Sequence, residues 1–106
     1  MTFPLNGPMF DLLVLSVIAE EDAYGYQISQ IIKRASSSTK DSTLYPILKR
    51  LQERQFVETY DRQFQGRNRK YYRITDTGKH YLAELINDWE CYRTIVDDIV
   101  RGGIAS

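Results

Sequence analysis

The sequence predicts a mainly α fold with a small β-hairpin: three short helices, the hairpin, then one long C-terminal helix. Three observations carry this. Apolar residues recur at helical spacing in four separate segments. Two stretches rich in aromatic and β-branched residues flank a glycine-bearing turn. The last segment holds an apolar repeat of alternating threes and fours that runs up to a Gly-Gly pair.

The first helix starts near Pro8, since a proline loses nothing in the first turn, where its missing N–H would be unpaired anyway. Phe10, Leu12, Leu13, Val14, Leu15, Val17 and Ile18 surround it almost completely, which marks a buried helix. Glu20, Glu21 and Asp22 make the following turn. The second helix spans about Ala23–Ala35, with Tyr24, Ile28, Ile31, Ile32 and Ala35 on one apolar face. Gly25 near its start either allows close packing or belongs to the turn. Ser36–Thr39 then breaks the pattern with residues that prefer turns and caps.

The third helix begins at Asp41 or Ser42 and runs to about Gln55. Leu44, Ile47, Leu48 and Leu51 form its inner stripe. The opposite face carries Ser42, Tyr45, Pro46, Lys49 and Glu53, flanked by Thr43 and Arg50 on one side and Gln52 on the other. Pro46 is tolerated early in a helix. The hairpin pairs Phe56–Arg62 with Arg69–Thr75 across the loop Gln63–Asn68. With Val57 and Ile74 facing the core, alternation turns Tyr72 inward and Arg69, Tyr71 and Arg73 outward. Thr75 or Asp76 caps the last helix, which continues to Arg101 and stops at Gly102-Gly103. Leu82, Leu85, Trp89, Tyr92, Val96 and Ile99 make its a/d seam, the mark of a helix that pairs with another.

Charge is unevenly spread. The formal net charge is zero, yet Tyr24–Thr75 holds eleven Lys and Arg against four Asp and Glu, and the flanks reverse the balance. Arg62–Thr75 contains five cations and no acid. A patch of one sign steers a polyanion more than the total charge does. Three helices followed by a basic hairpin is the order of a winged helix-turn-helix, in which the third helix enters a major groove roughly 12 Å wide. In that reading Ser42, Thr43 and Tyr45 offer hydroxyls, Lys49 a charge, and Arg67 and Arg69 the wing's cations. Residues 1–75 form the DNA-binding unit, and 76–106 the dimerisation helix packed on it.

The stretch from Asp41 to Leu51, DSTLYPILKRL, resembles the T-L-Y-P-x-L-x-R-L motif of PadR-type regulators. Gly66–Gly78, GRNRKYYRITDTG, is similar to that family's wing motif, and Tyr24–Ile28 to its second helix. The single short C-terminal helix resembles the subgroup that includes multidrug-sensing repressors. The resemblance implies a homodimer that binds a palindromic operator in double-stranded DNA and is released by a small aromatic or cationic effector. It carries DNA contact to Thr43, Tyr45, Lys49, Arg67, Arg69 and Lys70, and effector contact to Trp89. Three departures stand out. Lys40 occupies a position often held by a capping Ser or Asn, leaving Asp41 or Thr39 to cap. Ser36–Thr39 lacks the apolar alternation of the family's short strand there, which predicts a weak or missing strand. Asn68 replaces a common wing proline.

Other classes fare worse. His80 and Cys91 are the single residues of their types and have no nucleophile–base partner at useful spacing, so no enzyme, cofactor or metal site is expected. One cysteine makes no internal disulfide and fits the cytoplasm. No apolar run is long enough to span a bilayer, and none follows a basic N-terminal stretch. The rival is a winged-helix module that binds protein, which requires an exposed apolar patch in place of the basic wing. Trp89 reads equally as a packing residue of the dimer core, because large aromatics at heptad positions usually bury.

Overall fold

Asn6 begins the first helix by accepting a hydrogen bond from the Met9 N–H at 3.0 Å, with Pro8 in the first turn as expected. The computed structural model describes residues 6–102, so residues 1–5 and 103–106 of the expected bounds, Gly103 included, lie outside the described residues. The element order is α1 (Gly7–Glu20), β1 (Ala23–Tyr24), α2 (Gly25–Ala35), α3 (Asp41–Glu53), β2 (Val57–Phe64), β3 (Arg67–Ile74) and α4 (Asp76–Val100).

α1 is the hub of the core. Val14, Leu15 and Ile18 are fully buried against Ile28 and Ile32 of α2 and Leu44, Leu48 and Leu51 of α3. Leu13 and Val17 are only partly covered. Two details of α2 differ from expectation. Ala23 and Tyr24 form a strand, and Ile31 and Ala35 stay exposed, because the buried stripe is narrower than the apolar one.

α3 starts where the hydroxyl-rich segment predicts, but neither Asp41 nor Thr39 caps it: the N-cap position is Lys40, without a side-chain bond. Asp41 turns back to α2, accepting from the Ser29 hydroxyl at 2.7 Å and pairing with Lys33 at 3.4 Å. Both contacts favour the ionised form, and the carboxyl is held below its usual range, chiefly by the Ser29 hydrogen bond. The helix continues through Pro46 and ends at Glu53, two residues before the expected Gln55. There the Phe56 N–H bonds the Leu51 carbonyl and the Gln55 N–H bonds that of Gln52, with Gln55 at φ 64°. This is a Schellman end, a conformation that glycine adopts most easily.

The sheet has three antiparallel strands in the order β1-β3-β2. β1 pairs Ala23 with Tyr72 and Tyr24 with Tyr71. The third strand thus precedes α2, and Ser36–Thr39 is a turn. The hairpin is longer than the predicted one and its loop shorter. Phe64 pairs with Arg67 across Gln65 and Gly66, whose φ of 54° and 76° are those of a two-residue type I′ turn. Val57, Tyr72 and Ile74 face the core as alternation requires. Tyr71 faces away from the core but is 4% exposed, because Tyr24, Tyr60 and Arg62 cover that face.

α4 begins under a Thr75 cap, whose hydroxyl accepts from the Gly78 N–H at 3.0 Å. Its first half belongs to the core, where Leu82 and Leu85 are buried with α1. The seam therefore divides: Leu82 and Leu85 seat the helix on its own chain, while Tyr92, Val96 and Ile99 are exposed. The helix carries the molecule out to extents of 60 × 31 × 20 Å. No described helix is long and apolar enough to cross a membrane.

Candidate nucleic-acid interface

The inner stripe of α3 fixes what its outer face can present. With Leu44, Leu48 and Leu51 locked in the core, Ser42, Thr43, Tyr45 and Lys49 are all exposed. Tyr45 is the largest of these. Its ring lies across Gly25, where an added Cβ would approach the ring at 3.2 Å, so Gly25 serves close packing. Pro46 has no N–H, so the Ser42 carbonyl lacks its usual helical partner on this same face.

The flanking Arg50 does not join that face. Its guanidinium binds the Asp11 carboxylate, which is 3% exposed on α1 and also accepts from the Tyr81 hydroxyl at 2.7 Å. The hydrogen bond that Arg50 donates to Asp11 raises the Arg50 pKa further, and burial together with Asp11 pushes Tyr81 up to about 12. Asp11 was legible only as one polar residue in an apolar helix.

The wing divides its cations between two faces. Lys70 shares the core-side face of β3 with Tyr72 and lies 5.8 Å from that ring. Burial, and secondarily the neighbouring Tyr45 hydroxyl, raises the Tyr72 pKa. Arg67, Arg69 and Arg73 lie on the opposite face with Arg62. Arg69 stands over Tyr24 at 4.5 Å and near Phe64 at 5.9 Å, with its Nε buried and unpartnered. Its cross-strand neighbour Arg62 lies over Tyr71 at 5.1 Å, so each of two opposed cations has its own aromatic face. Arg73 lies over Tyr60 and is paired with Glu58 at 2.9 Å. The Tyr60 hydroxyl donates to Asp22 at 2.6 Å, tying β2 to the turn after α1.

Of the basic residues in the central segment, Lys33, Arg50 and Arg73 are therefore ion-paired. Arg34, Lys40, Lys49, Arg54, Arg62, Arg67 and Lys70 are exposed with no ion pair among the described residues. Neither Lys40 nor Arg62 is among the DNA contacts expected from the sequence. Their signal was only membership of the basic segment.

Trp89 is half-buried against the core and lies 6.3 Å from Tyr92, at the edge of the exposed apolar part of α4. An open concavity of about 550 Å³ lies elsewhere, between Gln52 and Gln55 of α3, Glu58 and Thr59 of β2, and Thr75 and Thr77 at the start of α4. Trp89 does not line it.

Comparison with known proteins gives this arrangement a family. The family model for transcriptional regulators of the PadR-like family matches residues 14–84. An uncharacterised protein of Lysinibacillus sphaericus is 40% identical over 96 residues, covering 87% of this chain and 88% of that protein. The crystal structure of smu.1704 from Streptococcus mutans UA159 is 43% identical with a TM-score of 0.94, covering 98% of this chain and 97% of that one. A PadR family transcription regulator from Clostridium difficile R20291 is 29% identical with a TM-score of 0.79, covering 86% and 97%. The chain belongs to the PadR-like family, whose members are transcriptional regulators and not enzymes.

Proposed function

We propose that the chain is a cytoplasmic, DNA-binding repressor that reads a palindromic operator as a homodimer and leaves it when a small molecule binds. One observation carries the DNA reading: the outer face of α3 presents Ser42, Thr43, Tyr45 and Lys49 to solvent, and the wing adds the exposed cation Lys70, which has no ion pair among the described residues. Hydroxyls and cations of this kind meet phosphates and base edges. Arg67 and Arg69 extend the cationic surface along the far side of the wing. In this reading residues 1–75 are the reading unit and 76–106 the pairing helix.

The homodimer reading is supported by α4. Tyr92, Ile95, Val96, Ile99 and Val100 are exposed on its second half, and Tyr92 and Ile99 are about 60% exposed. An apolar stripe of this length on one helix is covered in an assembled molecule. The effector reading rests on the resemblance and on Trp89 at the edge of that stripe. A planar aromatic or cationic compound stacks on an indole with about 0.5–2 kcal/mol per contact. Release then requires tighter binding to the form that does not hold DNA.

Selection of duplexes from a random pool by the purified chain tests the reading. Enrichment of a palindrome with half-sites about one turn, ~34 Å, apart is the expected result. Failure to enrich any sequence contradicts it. For the effector, Trp89→Ala should bind the selected duplex normally and lose the response to a compound that quenches wild-type fluorescence. Unfolding or dissociation of that variant makes Trp89 a packing residue.

A further inference from the structure

Asp11 is the buried charged side chain among the described residues, on a helix whose other inward residues are apolar. A buried carboxylate persists only when donors satisfy it. Here the donors come from two different helices: Arg50 of α3 binds Oδ1, and the Tyr81 hydroxyl of α4 binds Oδ2 at 2.7 Å. Arg50 directly follows Lys49 in α3, and of the two only Lys49 lies on the outer face. Tyr81 directly precedes Leu82, which seats α4 on the core, and its ring stacks on Phe56 at 4.4 Å, so the hydroxyl has a fixed direction. The two helices are thus tied to the same carboxylate of α1: a shift of α4 draws the Tyr81 hydroxyl off Oδ2, and a shift of α3 draws Arg50 off Oδ1.

We infer that Asp11 is a positioning residue for DNA reading: through Arg50 and Tyr81 it fixes the angle between the reading helix and the pairing helix. This rests on the reading of the chain as a DNA-binding homodimer. In such a dimer α4 is shared at the two-fold axis, so the α3–α4 angle sets the distance between the two reading helices. Asp11 thereby governs which half-site spacing is accepted, although it touches neither DNA nor the partner.

The test uses full-length Tyr81→Phe, which deletes one hydroxyl and keeps the ring on Phe56, and Arg50→Lys, which keeps the charge and loses the planar fork. Fluorescence anisotropy measures affinity for duplexes carrying the selected half-sites at spacers from two base pairs shorter to two longer. The measurements are made well below each variant's melting temperature and at several salt concentrations, and sedimentation checks the dimer. Wild type should lose affinity by about tenfold or more for a one-base-pair change, which displaces and rotates one half-site against the other. Both variants should flatten that profile to within about threefold. Their salt slope should stay at the wild-type value, because no phosphate contact is lost. A wild-type spacer profile in both variants, or a reduced salt slope, overturns the positioning role. A wild-type chain that binds none of the duplexes contradicts the DNA-binding reading instead.

Discussion

The Arg69 guanidinium lies 4.5 Å above the Tyr24 ring, joining the wing strand β3 to the two-residue strand β1 beside it. The same side chain was expected to face DNA, and its position gives it a second task, that of stiffening the wing. Arg69→Ala should lower stability by about 0.5–1 kcal/mol through the lost cation–π contact and loosen the wing. Arg69→Lys keeps the charge but not the planar stack, so it should restore salt-dependent binding more fully than stability. Denaturant melts beside binding titrations separate the two effects. Full stability in Arg69→Ala contradicts the stiffening role.

Gly78 is needed where α4 crosses the end of β2. A Cβ there would overlap the Phe56 carbonyl oxygen and lie 2.9 Å from Ile74 Cγ1. The same corner is held by the Thr75 hydroxyl, which donates to the Gln55 carbonyl at 2.7 Å. Backbone cannot give way as a flexible side chain can, so Gly78→Ala should cost about 3 kcal/mol or more in a denaturant melt. A loss under about 1 kcal/mol would show that the corner adapts.

Gln55 offers the opposite change. It holds φ at 64° at the Schellman end of α3, where glycine has no Cβ penalty. Gln55→Gly should raise stability by about 1 kcal/mol, partly offset by unfolded-chain entropy. A lower melting temperature contradicts this account of the helix end.

The sequence made the helices, the core-facing residues of the hairpin and the exposed hydroxyl face of α3 legible, because each follows from a strong period. What it hid was tertiary. β1 is two residues long, too short to show alternation, yet it helps bury Tyr71 on the face that alternation had turned to solvent. The two-residue turn was hidden because Gln65 takes a positive φ that its side chain disfavours. Arg50 looked like a flank of the outer face, and only the packing of α1 on α3 shows that Asp11 claims it. The heptad pattern could not say that Leu82 and Leu85 serve their own chain while Tyr92, Val96 and Ile99 remain uncovered.

Val96 tests assembly. In a homodimer, an aspartate at this position would lie unpaired in apolar surroundings, at a cost of order 3–5 kcal/mol. Val96→Asp should therefore shift sedimentation toward monomer while leaving the melt of the winged half nearly unchanged. A wild-type chain that is already monomeric at micromolar concentration contradicts the dimer.

The central claim is that α3 and the wing hold DNA, and the salt dependence of binding tests it most directly. Counterion release makes the slope of log affinity against log salt proportional to the phosphates neutralised, about 0.9 per contact. Lys49 and Lys70 are exposed and have no ion pair among the described residues. Lys49→Ala and Lys70→Ala should each weaken binding to all duplexes alike and lower the slope by about one. Unchanged slopes in both variants, or wild-type binding that survives high salt, would contradict the account.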